Sequence, residues 1–218
     1  MKIARKLAHL EASALWALNR AFRPLLKIKI ENNHSDREIL ISPMVINTLN
    51  TWSIFIRTYY ISCLLCARRN NGTYISSSIN RKQIPINDAI GFAICMFKKQ
   101  AIPLSSGDWD TRDEPAWHDS NTIIKIASYY SFSNKNDINT AFSFGFTAHK
   151  NLVVFRNYYA HRNRGTKQKA QNIASQYGIR TNQHPTEILL DYPLSYPGIS
   201  LLEIWRGELE QTISLLCS

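Results

Sequence analysis

The feature that most restricts the fold is a long run of apolar residues at helical spacing in the first third of the chain. Residues three and four apart lie on one face of an α-helix, so this run predicts one long helix with a buried stripe. Ser42-Pro43 resembles an N-cap followed by a first-turn proline, which predicts a start near Met44 and an end at Asn70-Asn71-Gly72. The expected core positions are Val45, Leu49, Trp52, Ile56, Tyr59, Tyr60 and Cys63.

Helical patterns also dominate the rest of the chain, and little of it has the pattern of a β-strand. The other predicted helices cover residues 2–26, 87–99, 116–131, 149–164 and 199–216. Asn87 is a predicted helix cap, Gly165 a predicted helix end, and residues 73–86 are expected to be extended or loop. We find no internal repeat and no long linker. The sequence therefore predicts an all-α fold, a single-domain bundle of five to seven helices over residues 1–218.

Composition and cysteine usage favour a globular protein of the cytoplasm. A hydrophobic content of 44% with 19% charged residues is ordinary for a folded domain and excludes a disordered chain. The four cysteines lie in apolar helical segments, where they behave as small hydrophobes rather than as a disulfide framework. Glu11 and Asn19 interrupt the N-terminal segment, which argues against a secretory signal. The apolar run 52–67 carries Arg57, so we predict no membrane span.

Positive charge is concentrated in one part of the chain. No Asp or Glu occurs from Ile138 to Thr186, although the whole chain has 16 acidic residues and a net charge of +10. The seven cations of this acid-free segment are Lys150, Arg156, Arg162, Arg164, Lys167, Lys169 and Arg180. A protein with such a basic region is expected to bind polyanions, and nucleic acid is the commonest of these.

Arg156, Asn157 and His161 form the chemically most suggestive group within the acid-free segment. Cleavage of RNA without a metal needs a base for the ribose 2′-OH and a positive charge beside the phosphate. Histidine suits the first task because its ordinary pKa is about 6.5, and arginine suits the second because its guanidinium grips phosphate oxygens in a fork. Arg156 and His161 are therefore the candidate catalytic pair, and Asn157 is the polar residue beside them.

The spacing of these residues limits how they meet. Asn157 and His161 are four positions apart and share a helical face, whereas Arg156 and His161 are turned about 140° from each other. Within one chain, the long side chain of Arg156 or a helix end reduces this angular separation. Alternatively, two copies of the helix meet in a homodimer and build a composite site, which is the version that we favour.

The segment from Arg156 to His161 resembles the R-x4-6-H signature of the HEPN (higher eukaryotes and prokaryotes nucleotide-binding) superfamily, in which a polar residue usually follows the arginine. The resemblance implies a small helical bundle and a homodimeric, metal-independent endoribonuclease that leaves a 2′,3′-cyclic phosphate. It also implies a role in antiviral defence, abortive infection or a toxin–antitoxin system, with an antitoxin or another defence protein as partner. Asn163 stands where one toxin branch has a modifiable tyrosine, which argues against that mode of control.

The remaining basic and aromatic residues near the motif are candidates for holding RNA. The predicted RNA-binding residues are Lys150, Tyr158, Arg162, Arg164, Lys167 and Lys169. The cations also fit an ordinary solvated helix face, and at least one of Tyr158 and Tyr159 is expected in the core. Two other functions therefore stay open: a non-catalytic RNA- or nucleotide-binding module, and a subunit that binds an acidic protein.

Two further groups have structural and functional interpretations. Arg57 needs a partner if it is buried, and it either braces the site or extends to the surface. Acidic residues cluster between Asp108 and Asp119 beside His118, where a divalent metal is conceivable but a solvated loop with helix-capping acids is favoured. Cys63 and Cys66 have no second cysteine pair, so zinc is not expected. We predict no cofactor and no metal.

Overall fold

The computed structural model describes residues 1, 5–79, 84–85 and 88–218, and α-helices make up nearly all of their regular structure. These residues contain ten α-helices together with a 3₁₀ turn at Thr111–Asp113. The all-α prediction is confirmed, and the predicted number of five to seven helices is too low. The helices are α1 (Leu7–Phe22), α2 (Leu25–Ile30), α3 (His34–Leu64), α4 (Ala89–Lys98), α5 (Ser120–Tyr129), α6 (Lys135–Ser143), α7 (Ala148–His161), α8 (Arg164–Gln176), α9 (Pro185–Leu190) and α10 (Leu201–Cys217).

The residues group into two compact units. The first unit comprises Met1–Leu15, Ser53–Gly145 and Thr212–Ser218, and the second comprises Trp16–Trp52 and Phe146–Gln211. Helices α1, α3 and α10 each contribute residues to both units. The single-domain interpretation of the sequence stays a prediction.

The start of α3 differs from the sequence prediction. The Asn33 side chain accepts a hydrogen bond from the Ser35 N–H at 2.9 Å, and the Asn33 carbonyl accepts one from the Arg37 N–H at 3.0 Å. Asn33 therefore caps the helix ten residues before Pro43, which lies inside α3. The prediction that Ser42-Pro43 opens the helix is wrong. A proline inside a helix removes one backbone hydrogen bond, and this long helix tolerates that loss.

The end of α3 also differs, because a residue other than glycine adopts the left-handed conformation. Cys66 has φ 58°, and the Ala67 N–H donates to the Ser62 carbonyl at 2.9 Å, as in a Schellman motif. The helix therefore ends at Leu64, before the Asn70-Asn71-Gly72 segment that was expected to end it. That segment instead forms a turn in which the Arg69 N–H donates to the Thr73 carbonyl.

The buried stripe predicted for α3 is confirmed, since all seven of its predicted core residues are buried. Tyr60 stacks on Trp117 in the first unit, and Trp52 lies against His149 in the second. Within the described part of the chain, α3 is the one helix long and apolar enough to cross a membrane. The core helix of a globular protein also meets that criterion, and the buried aromatic residues of α3 are typical of such a helix.

The N-terminal half departs from the predictions in two other places. The helix predicted over residues 2–26 is observed as α1 and α2, which are separated near Pro24, and residues 2–4 lie outside the described residues. Asn87, the predicted cap of α4, also lies outside them, as do residues 80–83 and 86 of the segment expected to be extended or loop. Within that segment, Tyr74 takes part in an isolated β-bridge.

The second half contains three helices that the sequence analysis missed, α6, α8 and α9. Helix α7 ends at His161 because Arg162 is left-handed, with φ 44°. Asn163 then caps α8 and exchanges hydrogen bonds with Thr166 in a capping box. Gly165 consequently lies in the first turn of α8, and the prediction that it ends the preceding helix is wrong. Two residues thus connect the candidate catalytic helix to a second basic helix.

A carboxylate from α10 satisfies the N-terminus of α7. One oxygen of Glu208 accepts hydrogen bonds from the backbone N–H groups of Thr147 and Ala148, each at 2.8 Å. Burial raises the pKa of Glu208, and the two N–H donors oppose that rise by stabilising the charged form. The first turn of α7 would otherwise leave these N–H groups without partners.

Replacement of Glu208 by alanine is therefore expected to lower the free energy of unfolding by about 1–3 kcal/mol, because two N–H donors lose their acceptor. Glu208→Gln retains a carbonyl acceptor and should lose less. Glu210→Ala is the matched control, since it removes only a surface pair with Arg206 and should cost less than about 0.5 kcal/mol. Urea denaturation measures all three. Equal losses for Glu208→Ala and Glu210→Ala would contradict this role.

Candidate nucleic-acid site

Helix α7 has one face in the core and one face in solvent. Leu152, Phe155 and Tyr159 are buried, and the Phe155 ring packs edge-on against Trp205 of α10 with ring centroids 5.5 Å apart. Arg156 and His161 lie on the exposed side. Burial of the apolar face thus fixes which residues of the helix reach solvent.

Asn157 orients the guanidinium of Arg156. The Arg156 Nη1 group donates a hydrogen bond to Asn157 Oδ1 at 3.1 Å. Asn157 and His161 are one helical turn apart on a shared face. The hydrogen bond therefore directs the guanidinium toward the face that carries His161, which partly offsets the angle of about 140° between the backbone positions of Arg156 and His161. Arg156 and His161 are thus both open to solvent, with the half-buried Asn157 next to Arg156.

The predicted RNA-binding cations lie on the surface around this group. Lys150, Arg164, Lys167 and Lys169 are exposed, and none of them forms an ion pair with a residue that the structure describes. The Arg162 side chain is 59% exposed, and its Nη2 lies 3.6 Å from Glu38 Oε1. The acid-free segment therefore has a basic surface on α7 and α8 whose charge is mostly uncompensated within the described residues.

Tyr158 is positioned differently from its prediction. Its side chain is only 6% exposed, and its hydroxyl lies 2.7 Å from His184 Nε2. Tyr159 is also buried, with its hydroxyl 3.1 Å from Thr186 Oγ1. A ring that stacks on a base must offer a free face, so the predicted base-stacking role of Tyr158 does not fit its position. Both tyrosines anchor α7 on the segment that begins α9.

The sequence analysis missed a polar cluster centred on His184. His184 Nδ1 accepts a hydrogen bond from the Thr186 N–H at 3.3 Å, so His184 caps α9. When the ring is neutral, its proton is therefore on Nε2, which donates to the Tyr158 hydroxyl. The His34 ring meets His184 edge-on, with centroids 4.4 Å apart. The His184-Pro185 pair, a polar residue before a first-turn proline, was the available sequence signal for this cap.

Charged groups surround this histidine cluster. Glu187 pairs with Arg37 at 2.8 Å and lies 3.9 Å from the His34 ring nitrogen. Burial is the main cause that lowers the pKa of His184, and the positive groups of His34 and Lys167 act in the same direction. Glu38 and Glu187 oppose them. The neutral form of His184 is therefore the one that fits its site.

Arg57 and the acidic loop have structural partners in the first unit. Arg57 donates two hydrogen bonds to Glu114, at 2.6 and 3.0 Å, and the Trp117 indole N–H donates to the same carboxylate. Asp113 pairs with Lys98, and Asp119 caps α5, as expected for helix-capping acids. The pairing with Glu114 explains how the charge of Arg57 is accommodated, so the predicted role of bracing the catalytic motif is not needed to explain it.

The cysteines and the acidic residues show neither a metal site nor a reactive thiol within the described part of the chain. Among the described residues, no group of three or more His, Cys, Asp or Glu side chains is arranged to hold a metal ion. Cys63, Cys66, Cys95 and Cys217 are free thiols, and all but Cys66 are buried. Burial raises the pKa of Cys63 to about 12, which keeps the thiol protonated and unreactive.

Comparison with known proteins gave no match of the chain to a family model, to a curated protein or to a solved structure. The resemblance to the HEPN superfamily therefore stays a prediction. Arg156 and His161 are exposed, Asn157 beside Arg156 is half-buried, and a basic surface lies around them.

The histidine cluster predicts a pH dependence of stability. Because the pKa of His184 is lowered from 6.5 in the folded protein, the unfolded chain binds more protons near that pH. The free energy of unfolding should therefore fall as the pH decreases from about 6.5 through the lowered pKa of the folded state.

His184→Asn tests this prediction, since asparagine keeps a cap acceptor for Thr186 but does not titrate. Urea denaturation from pH 7.5 to 5 should show a smaller pH dependence for His184→Asn than for the wild type. His9→Asn, at an exposed position of α1, is the control and should keep the wild-type dependence. Parallel curves for the wild type and His184→Asn would exclude the role of His184.

Proposed function

We propose that the protein is a cytoplasmic, metal-independent endoribonuclease of the HEPN type. The observation that carries this proposal is the hydrogen bond from Arg156 to Asn157, which directs the guanidinium toward the face of α7 that carries the exposed His161. A cation and an imidazole that are both open to solvent suit a reaction in which a proton leaves a hydroxyl while charge develops on a phosphate.

The proposed reaction is an attack by the ribose 2′-OH on the adjacent phosphorus. His161 takes the proton of that hydroxyl as the 2′-oxygen forms its bond to phosphorus, and the bond from phosphorus to the 5′-oxygen of the next nucleotide breaks. The leaving 5′-oxygen takes a proton from water, and the products are a 2′,3′-cyclic phosphate and a 5′-hydroxyl. Arg156 stabilises the charge on the non-bridging oxygens, and Asn157 holds the guanidinium in place.

The basic surface of α7 and α8 has the role of holding the RNA strand. Lys150, Arg164, Lys167 and Lys169 are exposed and have no acidic partner within the described residues, so they are available to phosphates. Arg162 also faces solvent beyond its contact with Glu38. Such contacts give affinity with little sequence preference and a strong dependence on salt. A controlling antitoxin or other defence partner with acidic groups would compete for the same surface.

The proposed enzyme is a homodimer whose active sites combine residues of both chains. In this arrangement Arg156 of one chain and His161 of the other act on the same phosphate, which removes the angular limit set by a single helix. A twofold axis creates two such sites, because each residue pair occurs twice.

The catalytic assignment predicts specific losses of activity. Wild-type protein with RNA in EDTA should give fragments that end in 2′,3′-cyclic phosphate. His161→Ala should lower the cleavage rate about 10²–10⁴-fold through loss of proton transfer. Arg156→Ala should lower it about 10²–10³-fold through loss of charge stabilisation. Gel analysis and mass spectrometry of the fragments measure both.

His9→Ala is the matched control for His161→Ala, because it also replaces an exposed helical histidine and should leave the rate unchanged. RNA affinity of His161→Ala should stay close to that of the wild type, since the basic surface is intact. If the wild-type protein binds RNA in EDTA without cleaving it, the nuclease hypothesis is wrong and the protein is an RNA-binding module. A wild-type protein that neither binds nor cleaves RNA would exclude both the nuclease and the binding module.

The composite site predicts recovery of activity on mixing two inactive variants. A heterodimer of Arg156→Ala and His161→Ala contains one site with both functional residues and one site with neither. After random subunit exchange, half of the dimers are mixed, so about a quarter of the wild-type activity should return. Light scattering checks the dimer, and each variant alone is the control. No recovery in proven heterodimers would contradict a site that combines Arg156 and His161 across the twofold.

A further inference from the structure

A basic cavity in the first unit lies outside the group that the proposed nuclease uses. Its volume is about 470 Å³, which is within the usual range of small-ligand pockets. Two arginines, a lysine and a tyrosine contribute to its wall, together with two less polar side chains. The lining residues are Arg5, Lys6, Leu65, Cys66, Arg68 and Tyr74.

Backbone pairing places three of these residues side by side. Lys6 and Arg68 form a parallel β-bridge, and Arg68 and Tyr74 form an antiparallel one. Residues paired across a bridge project their side chains to the same side of the backbone ladder. Arg68 is the member common to both bridges, so Lys6, Arg68 and Tyr74 form a row on one face, and all three line the cavity.

Hydrogen bonds on both sides hold this row in position. The Arg68 N–H donates to the Arg5 carbonyl at 2.7 Å, and the Leu7 N–H donates to the Arg68 carbonyl at 2.9 Å. The Ile75 N–H donates to the Ala67 carbonyl at 3.0 Å on the other side. The Arg68 side chain is itself oriented by a bond from Nε to the Gly72 carbonyl at 3.1 Å. The cationic groups are therefore carried on a fixed backbone rather than on a free terminus.

The charge and the aromatic residue together specify a ligand class. Arg5, Lys6 and Arg68 supply three positive charges, and no acidic side chain of a described residue lines the cavity. Tyr74 is 66% exposed, so its ring offers a face to a planar group, unlike the buried Tyr158. Cations bind phosphate oxygens, and an exposed aromatic ring stacks on a nucleobase.

We propose that this cavity binds a nucleoside phosphate, either a free nucleotide or one nucleotide unit of a single strand. The phosphate contacts Arg5, Lys6 and Arg68, and the base stacks on Tyr74. The site uses none of the residues of α7, so it does not depend on the proposed nuclease activity.

Fluorescence anisotropy with a labelled adenosine monophosphate in EDTA tests the free nucleotide. A labelled 2′-O-methyl oligonucleotide tests the single strand, because it lacks the 2′-OH that cleavage requires. Lys6→Gln should raise the Kd several-fold and flatten its dependence on salt. Tyr74→Leu should raise the Kd about tenfold or more, and Tyr74→Phe should retain the affinity because stacking does not need the hydroxyl.

Lys125→Gln is the matched control for Lys6→Gln, since Lys125 is an exposed lysine of the same unit and lies outside the cavity. It should leave the Kd unchanged. Binding of the oligonucleotide without the mononucleotide, with loss in Lys6→Gln and Tyr74→Leu, would identify the strand as the ligand. Binding of neither probe, or binding insensitive to both variants, would overturn the proposal. The proposal would also be overturned if inorganic phosphate competed as well as the nucleotide does and Tyr74→Leu left the Kd unchanged.

Discussion

The candidate site depends on the way that α7 is held in the second unit. The buried residues Leu152, Phe155 and Tyr159 fix the rotation of the helix about its axis, and the Glu208 carboxylate fixes its N-terminus. Because an α-helix has 3.6 residues per turn, burial of one face determines which side chains remain outside. Arg156 and His161 are exposed as a result of this packing, and Asn157 then links the guanidinium to the same face. If α7 were rotated about its axis, Arg156 and His161 would be buried and the apolar residues of the helix would be exposed.

The distribution of partners separates structural charges from available ones. In the first unit, Arg57 and Lys98 are each paired with a carboxylate of the acidic loop, so these charges are used within the fold. On α7 and α8, Lys150, Arg164, Lys167 and Lys169 have no ion pair with any described residue. Uncompensated like charges on one surface repel each other, and a bound polyanion relieves that repulsion. The same contrast distinguishes the cavity around Arg68, whose described lining residues include three cations and no acid.

The sequence was most informative where burial follows a long regular period and least informative where single residues set helix ends. The stripe of α3 was predicted correctly because its seven residues recur mostly three or four positions apart, which is the spacing of one helical face. Its ends were wrong because Asn33 caps it early and Cys66, rather than a glycine, adopts the left-handed conformation. Arg162 ends α7 in the same way. The exposed group of α7 was visible as a local pattern, whereas His184 contacts a tyrosine 26 positions away, which local periodicity does not reveal.

A single α7 leaves one geometric requirement unmet, and the dimer is the arrangement that meets it. The hydrogen bond to Asn157 brings the guanidinium of Arg156 toward the face of His161, but one helical turn, about 5.4 Å, still separates Asn157 from His161 along the axis. An isologous contact between two exposed α7 faces places residue i of one chain against residue j of the other, and the reverse. Arg156 and His161 are both exposed in the isolated chain, as such a contact requires. The proposed chemistry and the proposed oligomer are therefore one hypothesis, because both require the side chains of Arg156 and His161 to be open to solvent in the single chain.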